Sequence, residues 1–522
     1  MAKPEPKPST ARVVTTSTLL GLLKLLWAVF VGLTPVLGFW LASSLATYRG
    51  GEVWLAAVTG LLLFPLLPLA WEGFAEWRFR QKPSQRFLTR GDRVLLRTLV
   101  INLLFLVGVL AWRPQQAFEA LATRGDWMLD GRSDATSQWL RGALFASAEK
   151  LAWLYDLSQP HPFREGTADT GAGVGPRQES SLTLVDPEGP SHTPSAQPTS
   201  DPGSKAPILP PATQTPEPTN FVARATADHP WPSAALPHPL ATEVPTAAEA
   251  SFESLAKYAI AHEADSMSRF RLLHDWVATH IDYDVEMLES GRIRDQDAQT
   301  VFVSRKAVCA SYARLLQALG KAAGFDVQYV VGDARASGSD LSGEGHAWNI
   351  VVIDAKSYLV DATWDAGHVG VPAGESRKRF VRAYSSDYLF TPPQVFAVKH
   401  FPDEPKWQLL DKPITRGEFF RAPVLEPAFY AHGLKLVSPD RSQVSARGGI
   451  KLVVESAANS WLLATATSAM GEETRCEVTR NGRFEIECPL ATKGSYEVTL
   501  FHSKRQYATY DGVAGISVLN DP

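Results

Sequence analysis

Three residues whose types cooperate in thiol chemistry lie in one region of the chain: Cys309, His346 and Asp361. Cys309 opens an apolar helical pattern in "SRKAVCASYARLLQALGKAAG", and a thiol at a helix N-terminus lies where unpaired backbone N–H groups favour the thiolate. A cysteine can attack a carbonyl, a histidine can take and return the proton, and a carboxylate can orient the imidazole. Each residue alone is more often structural, and a lone cysteine is more often a small buried hydrophobe. Their combination predicts a catalytic triad.

The two partners of the cysteine lie on a predicted hairpin, "GEGHAWNIVVIDAKSYLVDATWD". Its apolar runs predict two strands joined by a tight turn. With that turn centred on Ala355 and Lys356, His346 falls opposite Asp365, and Asp361 points to the same face of the sheet. Direct contact between His346 and Asp361 then needs a bulge or a different register, and the sequence leaves this point open.

Two tryptophans adjoin the candidate histidine and aspartate. Trp348 and Trp364 could exclude water from the site or contact a substrate. The backbone N–H of Cys309 is the best candidate for an oxyanion donor. The sequence gives no sign of a cofactor or a metal site, so we expect neither.

The motifs "AVCASYARL" and "GHAWNIVVID…YLVDATWD" resemble the transglutaminase-like superfamily of papain-type thiol enzymes. A third motif, "YLFTPPQVFAVKHFPDEPKWQLL", resembles its kyphoscoliosis-peptidase branch. The resemblance runs from about Phe252 to the C-terminus and implies a papain-like α+β fold with Cys309, His346 and Asp361 as the triad. One departure is Ser311, because members usually carry glycine two places after the cysteine.

The resemblance implies a class of reaction and not one reaction. The family includes peptidases, amide cross-linkers, deamidases and domains that have lost catalysis. Its active members share an acyl-thioester step and differ in whether water or an amine resolves it.

Three apolar segments, at about residues 20–47, 53–71 and 94–112, are long enough to span a bilayer. Residues 1–113 are therefore predicted to form a membrane anchor of three transmembrane helices; the alternative is buried helices of a soluble protein. The loop between the second and third segments is rich in arginine, so by the positive-inside rule that loop and the N-terminal tail are cytoplasmic. Everything after Trp112 is then predicted outside the plasma (inner) membrane, in the periplasm where there is one.

Composition divides the rest of the chain into four parts. Residues 114–157 contain an amphipathic helical segment that is expected to lie on the membrane surface. Residues 158–248 are rich in proline, serine and threonine and are predicted to be a disordered linker. Residues 249–422 are the expected transglutaminase-like domain. Residues 423–522, with short alternating runs between turn residues, predict an Ig-like β-sandwich.

The other two cysteines, Cys476 and Cys488, lie on two of these alternating runs. For both runs to face one core, the numbers of paired residues must sum to an even number. We therefore predict a three-residue loop, 480–482, with Gly482 left-handed. Cys476 then faces Ile486, and the diagonal separation of the two cysteines favours free thiols over a disulfide.

These observations predict a membrane-anchored extracytoplasmic thiol enzyme that acts on peptide or protein amides. Its partners would be the lipid bilayer and a protein or peptide substrate, with cell-envelope proteins as candidates. A net charge of -4 gives no signal of nucleic-acid binding. The alternative is a non-catalytic adhesion or scaffold protein that uses the same fold as a binding module.

Overall fold

The computed structural model describes residues 10–51, 53–79, 88–132, 134–158, 231–233, 235–290, 296–336, 343–372, 375–456 and 460–521. Most of the predicted linker, residues 159–230, lies outside these ranges, and its disorder stays a prediction.

Three helical stretches near the N-terminus are long and apolar enough to cross a membrane, judged by length and composition alone: Val29–Tyr48, Ala57–Arg78 and Arg90–Trp112. They belong to α1 (Thr10–Tyr48), α2 (Val53–Leu61), α3 (Leu67–Phe79) and α4 (Arg90–Trp112). A π-helical turn around Pro65 joins α2 to α3, since proline cannot donate the regular helical hydrogen bond. The number and order of the stretches match the three predicted spans; whether they cross a bilayer stays a prediction.

An ion-pair cluster joins the second and third candidate spans. Glu72 of α3 is buried and accepts a hydrogen bond from Arg93 Nε at 2.7 Å and another from Arg97. Charges at membrane depth need such partners. The two helices are therefore held together where α3 ends and α4 begins.

The segment after α4 forms three helices: α5 (Pro114–Arg124), α6 (Ala135–Glu149) and α7 (Trp153–Ser158). Part of residues 114–157 packs on the C-terminal half of the chain, whereas Trp139 of α6 and Trp153 of α7 are exposed, so the expected contact with a membrane surface stays a prediction. Buried residues from both parts form one cluster: Phe118, Ala122, Tyr155, Phe401, Phe419 and Phe420. Polar contacts support it, because Arg421 Nη1 donates to the carbonyl of Ala122 at 2.6 Å and Tyr155 Oη donates to Asp333 Oδ1 at 3.0 Å.

The α+β domain begins earlier than the predicted residue 249. Trp231 Nε1 donates to the carbonyl of Asp387 at 2.9 Å, and the backbone N–H of His238 donates to Asp275 Oδ2 at 2.7 Å. Ala241 lies in the domain core. The last residues assigned to the linker are therefore part of the folded domain.

The helices of this domain are α8 (Pro239–Thr242), α9 (Phe252–His262), α10 (Ser266–His280), α11 (Val285–Glu289), α12 (Ala298–Ser304), α13 (Cys309–Ala322), α14 (Ala362–Ala366), α15 (Pro393–Lys399) and α16 (Arg416–Arg421). Its strands are β1 (Asp282–Tyr283), β2 (Lys306–Ala307), β3 (Asp326–Ala334), β4 (Glu344–Ile353), β5 (Lys356–Val360), β6 (Gly367–Gly370), β7 (Arg379–Arg382), β8 (Leu389–Thr391) and β9 (His400–Pro402). The main sheet is antiparallel, in the order β8-β5-β4-β3-β9. Its core includes the apolar face of α13, where Gly320 lets the helix approach Val327 of β3 closely.

The β4–β5 hairpin forms as predicted, but its turn lies one residue earlier. Ile353 pairs with Lys356, and Asp354 and Ala355 form the turn with φ of 51° and 60°. Positive φ at both central residues is the backbone of a type I′ turn, which suits the twist of a hairpin. The expected turn at residues 355 and 356 was wrong. Each side chain still lies on the predicted face of the sheet, because the pairing of the two strands shifts by two residues.

The C-terminal region is rich in β-structure, as expected. Its elements are β10 (Val424–Leu425), α17 (Pro427–Ala431), β11 (Leu434–Ser438), β12 (Gln443–Ala446), β13 (Gly449–Ser456), β14 (Trp461–Ser468), β15 (Glu473–Arg475), β16 (Glu477–Asn481), β17 (Arg483–Pro489), β18 (Gly494–Ser503) and β19 (Asp511–Asn520). One sheet has the order β10-β19-β18-β14-β15 with β12 beside β19, and the other has β11-β13-β17-β16. Buried side chains of both sheets form one core. Its Ig-like type stays a prediction.

The prediction of two free thiols in this region was wrong. Asn481 pairs with Arg483 around a left-handed Gly482, so the loop is shorter than the predicted 480–482. The pairing sum remains even, and the left-handed glycine is as expected. The shift of two residues places Cys476 opposite Cys488, with 4.3 Å between their Cα atoms, and they form a disulfide.

Candidate active site

The candidate nucleophile lies at the first position of α13. Val308 precedes the helix in extended conformation, and Cys309 begins it. The thiol is 2% exposed and lies in a small apolar cluster with Ala347, with Tyr283 and Met287 packed against that cluster. The first N–H groups of an α-helix have no partner within the helix. Cys309 therefore combines a buried thiol with the electropositive end of an amphipathic helix.

His346 lies on β4, next to Ala347 of the apolar cluster that contains Cys309. Its Nε2 is 2.7 Å from Asp361 Oδ2, so Nδ1 is the ring nitrogen that is left for an interaction with Cys309. Burial lowers the pKa of His346, but Asp361, and to a smaller extent Cys309, raise the pKa to about 10. A protonated imidazole beside a thiol is the arrangement that thiol enzymes use.

Asp361 ends the hairpin and caps the short helix α14. Its Oδ1 accepts hydrogen bonds from the backbone N–H groups of Thr363 at 2.9 Å and Trp364 at 3.3 Å. This capping turns the chain after Val360 and brings the carboxylate to His346, the contact that a straight strand would not give. Burial would raise the pKa of Asp361, but His346 and His400, through charge and hydrogen bonds, hold the pKa well below its usual range.

A second histidine, His400, completes the site and was missed in the sequence. It lies at the start of β9, is fully buried, and places Nε2 3.1 Å from Asp361 Oδ2. Burial lowers the pKa of His400 to about 4 against the opposing effect of Asp361. His346, Asp361 and His400 are also residue types that bind metals, and their nearest donor atoms lie within 4.8 Å of one another. The hydrogen bonds to the shared oxygen account for this proximity without an ion.

Aromatic rings surround the two imidazoles. The ring centroid of Trp364 lies 5.2 Å from that of His346 and 4.5 Å from that of His400. Trp348 lies 6.1 Å from His346 and 5.2 Å from His400, and Phe396 stacks on His400 at 4.0 Å. The two predicted tryptophans therefore lie where they can exclude water; contact with a substrate stays a prediction.

The structure brings together all five residues singled out in the sequence. The signal for His400 was present in "FAVKHFPDEP", a short apolar run with one histidine. The run alone does not show that this histidine reaches the site. Its position follows only from the sheet order, because β9 pairs with β3 and not with the β4–β5 hairpin. A buried thiol, a protonated imidazole and an ionised carboxylate can together carry out nucleophilic acyl transfer.

Comparison with known protein families agrees with this geometry. Residues 253–362 match the family model of the Transglutaminase-like superfamily, and that range contains Cys309, His346 and Asp361. This part of the chain is therefore a transglutaminase-like domain. The predicted resemblance to the kyphoscoliosis-peptidase branch is also confirmed by the relatives that follow.

The chain is 28% identical over 241 residues to Kyphoscoliosis peptidase of Mus musculus, which covers 45% of this chain and 36% of that protein. It is 26% identical over 260 residues to Kyphoscoliosis peptidase of Homo sapiens, covering 49% and 38%. Hillarin of Drosophila melanogaster is 26% identical over 204 residues, covering 35% and 24%. This chain thus spans less than two fifths of the length of each of these relatives. A solved structure titled "Crystal structure of a TGase" shares 21% identity over 28% of this chain and 37% of its own, with a TM-score of 0.19.

Proposed function

We propose that this protein is a membrane-anchored thiol enzyme that acts on peptide or protein amides through an acyl-thioester intermediate. The observation that carries the proposal is the buried hydrogen bond of His346 with Asp361 beside the Cys309 cluster, with the pKa of His346 raised to about 10. A purely structural histidine has no need of a thiol on one ring nitrogen and a carboxylate on the other. Similarity to proteins called peptidases supports the same reaction class.

In the proposed reaction, the Cys309 thiolate attacks the amide carbonyl and forms a carbon–sulfur bond. Backbone N–H groups at the start of α13 are the candidate donors to the resulting oxyanion. The imidazolium of His346 gives its proton to the leaving amine as the carbon–nitrogen bond breaks. Water or a second amine then attacks the thioester while His346 takes its proton, and the thiolate departs. Asp361 keeps the imidazole ring oriented through both steps.

The burial of Cys309 favours a second candidate function. A thiol that is 2% exposed, with Tyr283 and Met287 packed against its cluster, cannot reach a substrate unless these side chains move. A non-catalytic binding or scaffold module would keep the site closed permanently. The thiol beside the charged imidazole argues for catalysis, because a charged histidine with a structural role needs only carboxylates as partners.

We also propose that the enzyme domain lies outside the plasma membrane, with the N-terminus in the cytoplasm. The arginine-rich loop between the second and third candidate spans supports this orientation. Protease added to intact spheroplasts should digest the chain from Ser158 onward. Protection of that region would reverse the orientation and leave the chemistry untouched.

Labelling with a thiol-directed electrophile tests the catalytic proposal. Cys309 is the one free cysteine, because Cys476 and Cys488 form a disulfide, so all labelling of the unreduced full chain in detergent reports on Cys309. An activated thiolate reacts at about pH 6, whereas a thiol with an ordinary pKa of about 8.5 hardly does. We expect labelling at pH 6 and none in Cys309→Ala.

A labelled primary amine, incubated with the full chain and casein as an acyl donor, then separates the two outcomes of the thioester. Incorporation of the amine indicates transfer, and new casein fragments without incorporation indicate hydrolysis. Equal turnover by Cys309→Ala and wild type would refute the enzyme, and absence of low-pH labelling in wild type would favour the binding module.

A further inference from the structure

We propose that His400 is a positioning residue that holds Asp361 in place for His346. This inference rests on the proposed function and adds a fourth residue to its site. It predicts that the hydrogen bond from His400 to Asp361, and not the bulk of the histidine, controls the reactivity of Cys309.

The first observation is that His400 completes the hydrogen bonding of the Asp361 carboxylate. Oδ1 accepts from the backbone N–H groups of Thr363 and Trp364. Oδ2 accepts from His346 at 2.7 Å and from His400 at 3.1 Å. Backbone donors thus fix one oxygen, and the two imidazoles fix the other. Without His400, Oδ2 would keep His346 as its only donor in the part of the chain that the structure describes.

The second observation fixes the protonation of His400. Its Nδ1 is buried and has no hydrogen-bond partner among the described residues. A bare acceptor in such a place costs less than a buried N–H would, so the proton belongs on Nε2, where it is donated to Asp361. The neighbouring charges of His346 and Lys399 also disfavour a charge on His400. His400 is therefore a neutral donor and His346 a charged one.

The third observation is that the ring of His400 cannot easily turn. Phe396 stacks on it with centroids 4.0 Å apart, and Trp364 lies 4.5 Å away. The backbone is held as well, because Gly332 of β3 stands opposite His346 on one side and Pro402 of β9 on the other. A Cβ on Gly332 would lie 2.1 Å from the carbonyl oxygen of Phe401, so only glycine permits this approach of the strands. Two histidines from separate strands thus meet at one carboxylate oxygen.

The link from this hydrogen bond to chemistry runs through the ion pair. A fixed, ionised Asp361 stabilises the imidazolium of His346, and the imidazolium stabilises the Cys309 thiolate. If the carboxylate loses one of its donors, it gains freedom to rotate and its charge is less well stabilised. The thiolate population at mildly acidic pH should then fall.

The test uses two variants of similar size and flexibility, His400→Gln and His400→Met, because only glutamine retains an N–H donor. The full chain in detergent is treated with iodoacetamide from pH 5 to 9, and both the rate constant and the final number of labelled thiols are recorded. In His400→Met we expect labelling at pH 6 to slow about tenfold, which is a shift of the pH profile by about one unit, with an unchanged final count. His400→Gln and the packing control Phe401→Leu, at the neighbouring residue that packs on Phe419, should stay within about threefold of wild type.

Three results would overturn the inference. Equal pH profiles in His400→Gln and His400→Met, whether both normal or both impaired, would show that the donor does not matter. A lower final count with an unshifted profile in His400→Met would indicate a packing role only. A shift as large in Phe401→Leu as in His400→Met would indicate that loss of packing alone moves the pH profile. Failure of the wild type itself to label below pH 7 would instead refute the proposed enzyme, and the two failures are therefore distinguishable.

Discussion

Two buried clusters of histidine and carboxylate lie at opposite ends of the short helix α14. At its start, Asp361 binds His346 and His400. At its other end, Asp365 lies near His274 of α10, with 3.3 Å between Asp365 Oδ2 and His274 Nε2. The two aspartates are 1% and 0% exposed, so burial does not distinguish the clusters. What distinguishes them is how the partners are arranged.

The second cluster places a carboxylate at each nitrogen of its histidine. His274 Nδ1 is 2.8 Å from Asp275 Oδ1, and Nε2 lies 3.3 Å from Asp365 Oδ2 as an ion pair without a well-directed hydrogen bond. Burial lowers the pKa of His274, but the two aspartates raise the pKa to about 9. Ser385 Oγ donates to Asp365 Oδ1 at 2.7 Å, and Tyr384 Oη donates to Asp275 Oδ1 at 2.8 Å. This cluster ties α10 to α14 and to the chain before β8.

The comparison shows how the proposed catalytic imidazole differs from a structural one. One carboxylate shared by two histidines needs only one nitrogen of each, so His346 keeps a ring nitrogen for Cys309. One histidine shared by two carboxylates has none left. The same residue types at Asp361 and Asp365, one helical turn apart, are thus arranged for the proposed catalysis at the first position and for structural support at the second.

Among the paired variants of the two clusters, His346→Ala should show the largest loss of turnover. The variant removes proton transfer in both steps of the proposed reaction, so turnover should fall about 10³-fold or more. His274→Ala is the matched variant in the other cluster, and its turnover per labelled Cys309 should stay near that of wild type. Turnover is measured against active sites counted with the electrophile. Similar losses per site in both variants would erase the distinction between the clusters.

The next comparison makes the same chemical change at each end of α14. Asp361→Asn keeps the shape but offers the imidazole the wrong partner, so turnover should fall about 10²–10⁴-fold. Asp365→Asn leaves the thiol and His346 untouched and should leave turnover per active site within about threefold, with a loss of stability of about 1–3 kcal/mol. Circular dichroism checks the folding of both variants. A silent Asp361→Asn would remove the carboxylate from the catalytic site.

The two histidine variants should rank in the opposite order when the free energy of unfolding is measured, because His274→Ala should lose more of it than His346→Ala. His274→Ala leaves Asp365 buried without its cation, whereas Asp275 keeps Arg271, whose Nε lies 3.2 Å from Asp275 Oδ2. Breaking a buried ion pair as at Asp365 costs about 3–5 kcal/mol. His346→Ala leaves Asp361 with His400 and its backbone donors, so its loss should be smaller. Urea unfolding midpoints of the full chain in detergent provide the comparison. A larger loss in His346→Ala would mean that the triad, too, is chiefly a structural tie.

The smallest expected effect is a change in the free energy of unfolding with pH. The pKa of His274 in the folded protein is about 9, above the ordinary 6.5. Its stabilisation is therefore complete below pH 6.5 and is lost as the pH rises through about 9. The slope approaches about 1.4 kcal/mol per pH unit between those values. Burial raises the pKa of Asp365 only to about 6, so this group is ionised in both states there and adds no slope.

His274→Ala should remove the contribution of His274 to this slope between pH 7 and 9. The pKa of His346, at about 10, contributes in the same direction and extends the loss to higher pH, so a residual slope should remain in the variant and vanish when His346→Ala is added. Unfolding midpoints at each pH, measured for the single and double variants, separate the two histidines. An unchanged slope in His274→Ala would contradict the assignment of its charge.

Motifs and residue types in the sequence were sufficient to propose the candidate triad, whereas its contact geometry depends on local turns. The contact of His346 with Asp361 required a turn at Asp354 and Ala355, with an alanine in left-handed conformation, which a propensity argument disfavours. It also required Asp361 to leave the strand and cap a helix. Period-two alternation predicts which face a side chain occupies, but not where a strand ends.

His400 and the disulfide were missed for related reasons. His400 reaches Asp361 because β9 lies next to β3, and the sheet order is a property of the whole domain. Cys476 and Cys488 were placed on the right faces, but a loop shorter than expected moved their pairing by two residues. The hydrophobic pattern of a hairpin shows which side chains face the core, but the exact pairing of residues depends on the turn.

The docking of α5 and α7 has a consequence for residues 159–230. Tyr155 near one end of that segment packs against Phe420, and Trp231 at the other end is hydrogen-bonded to Asp387. The chain on either side of residues 159–230 is thus attached to one folded body. A single proteolytic cut within these residues would yield two fragments that remain associated like the subunits of a heterodimer, with Phe420 still packed on Tyr155.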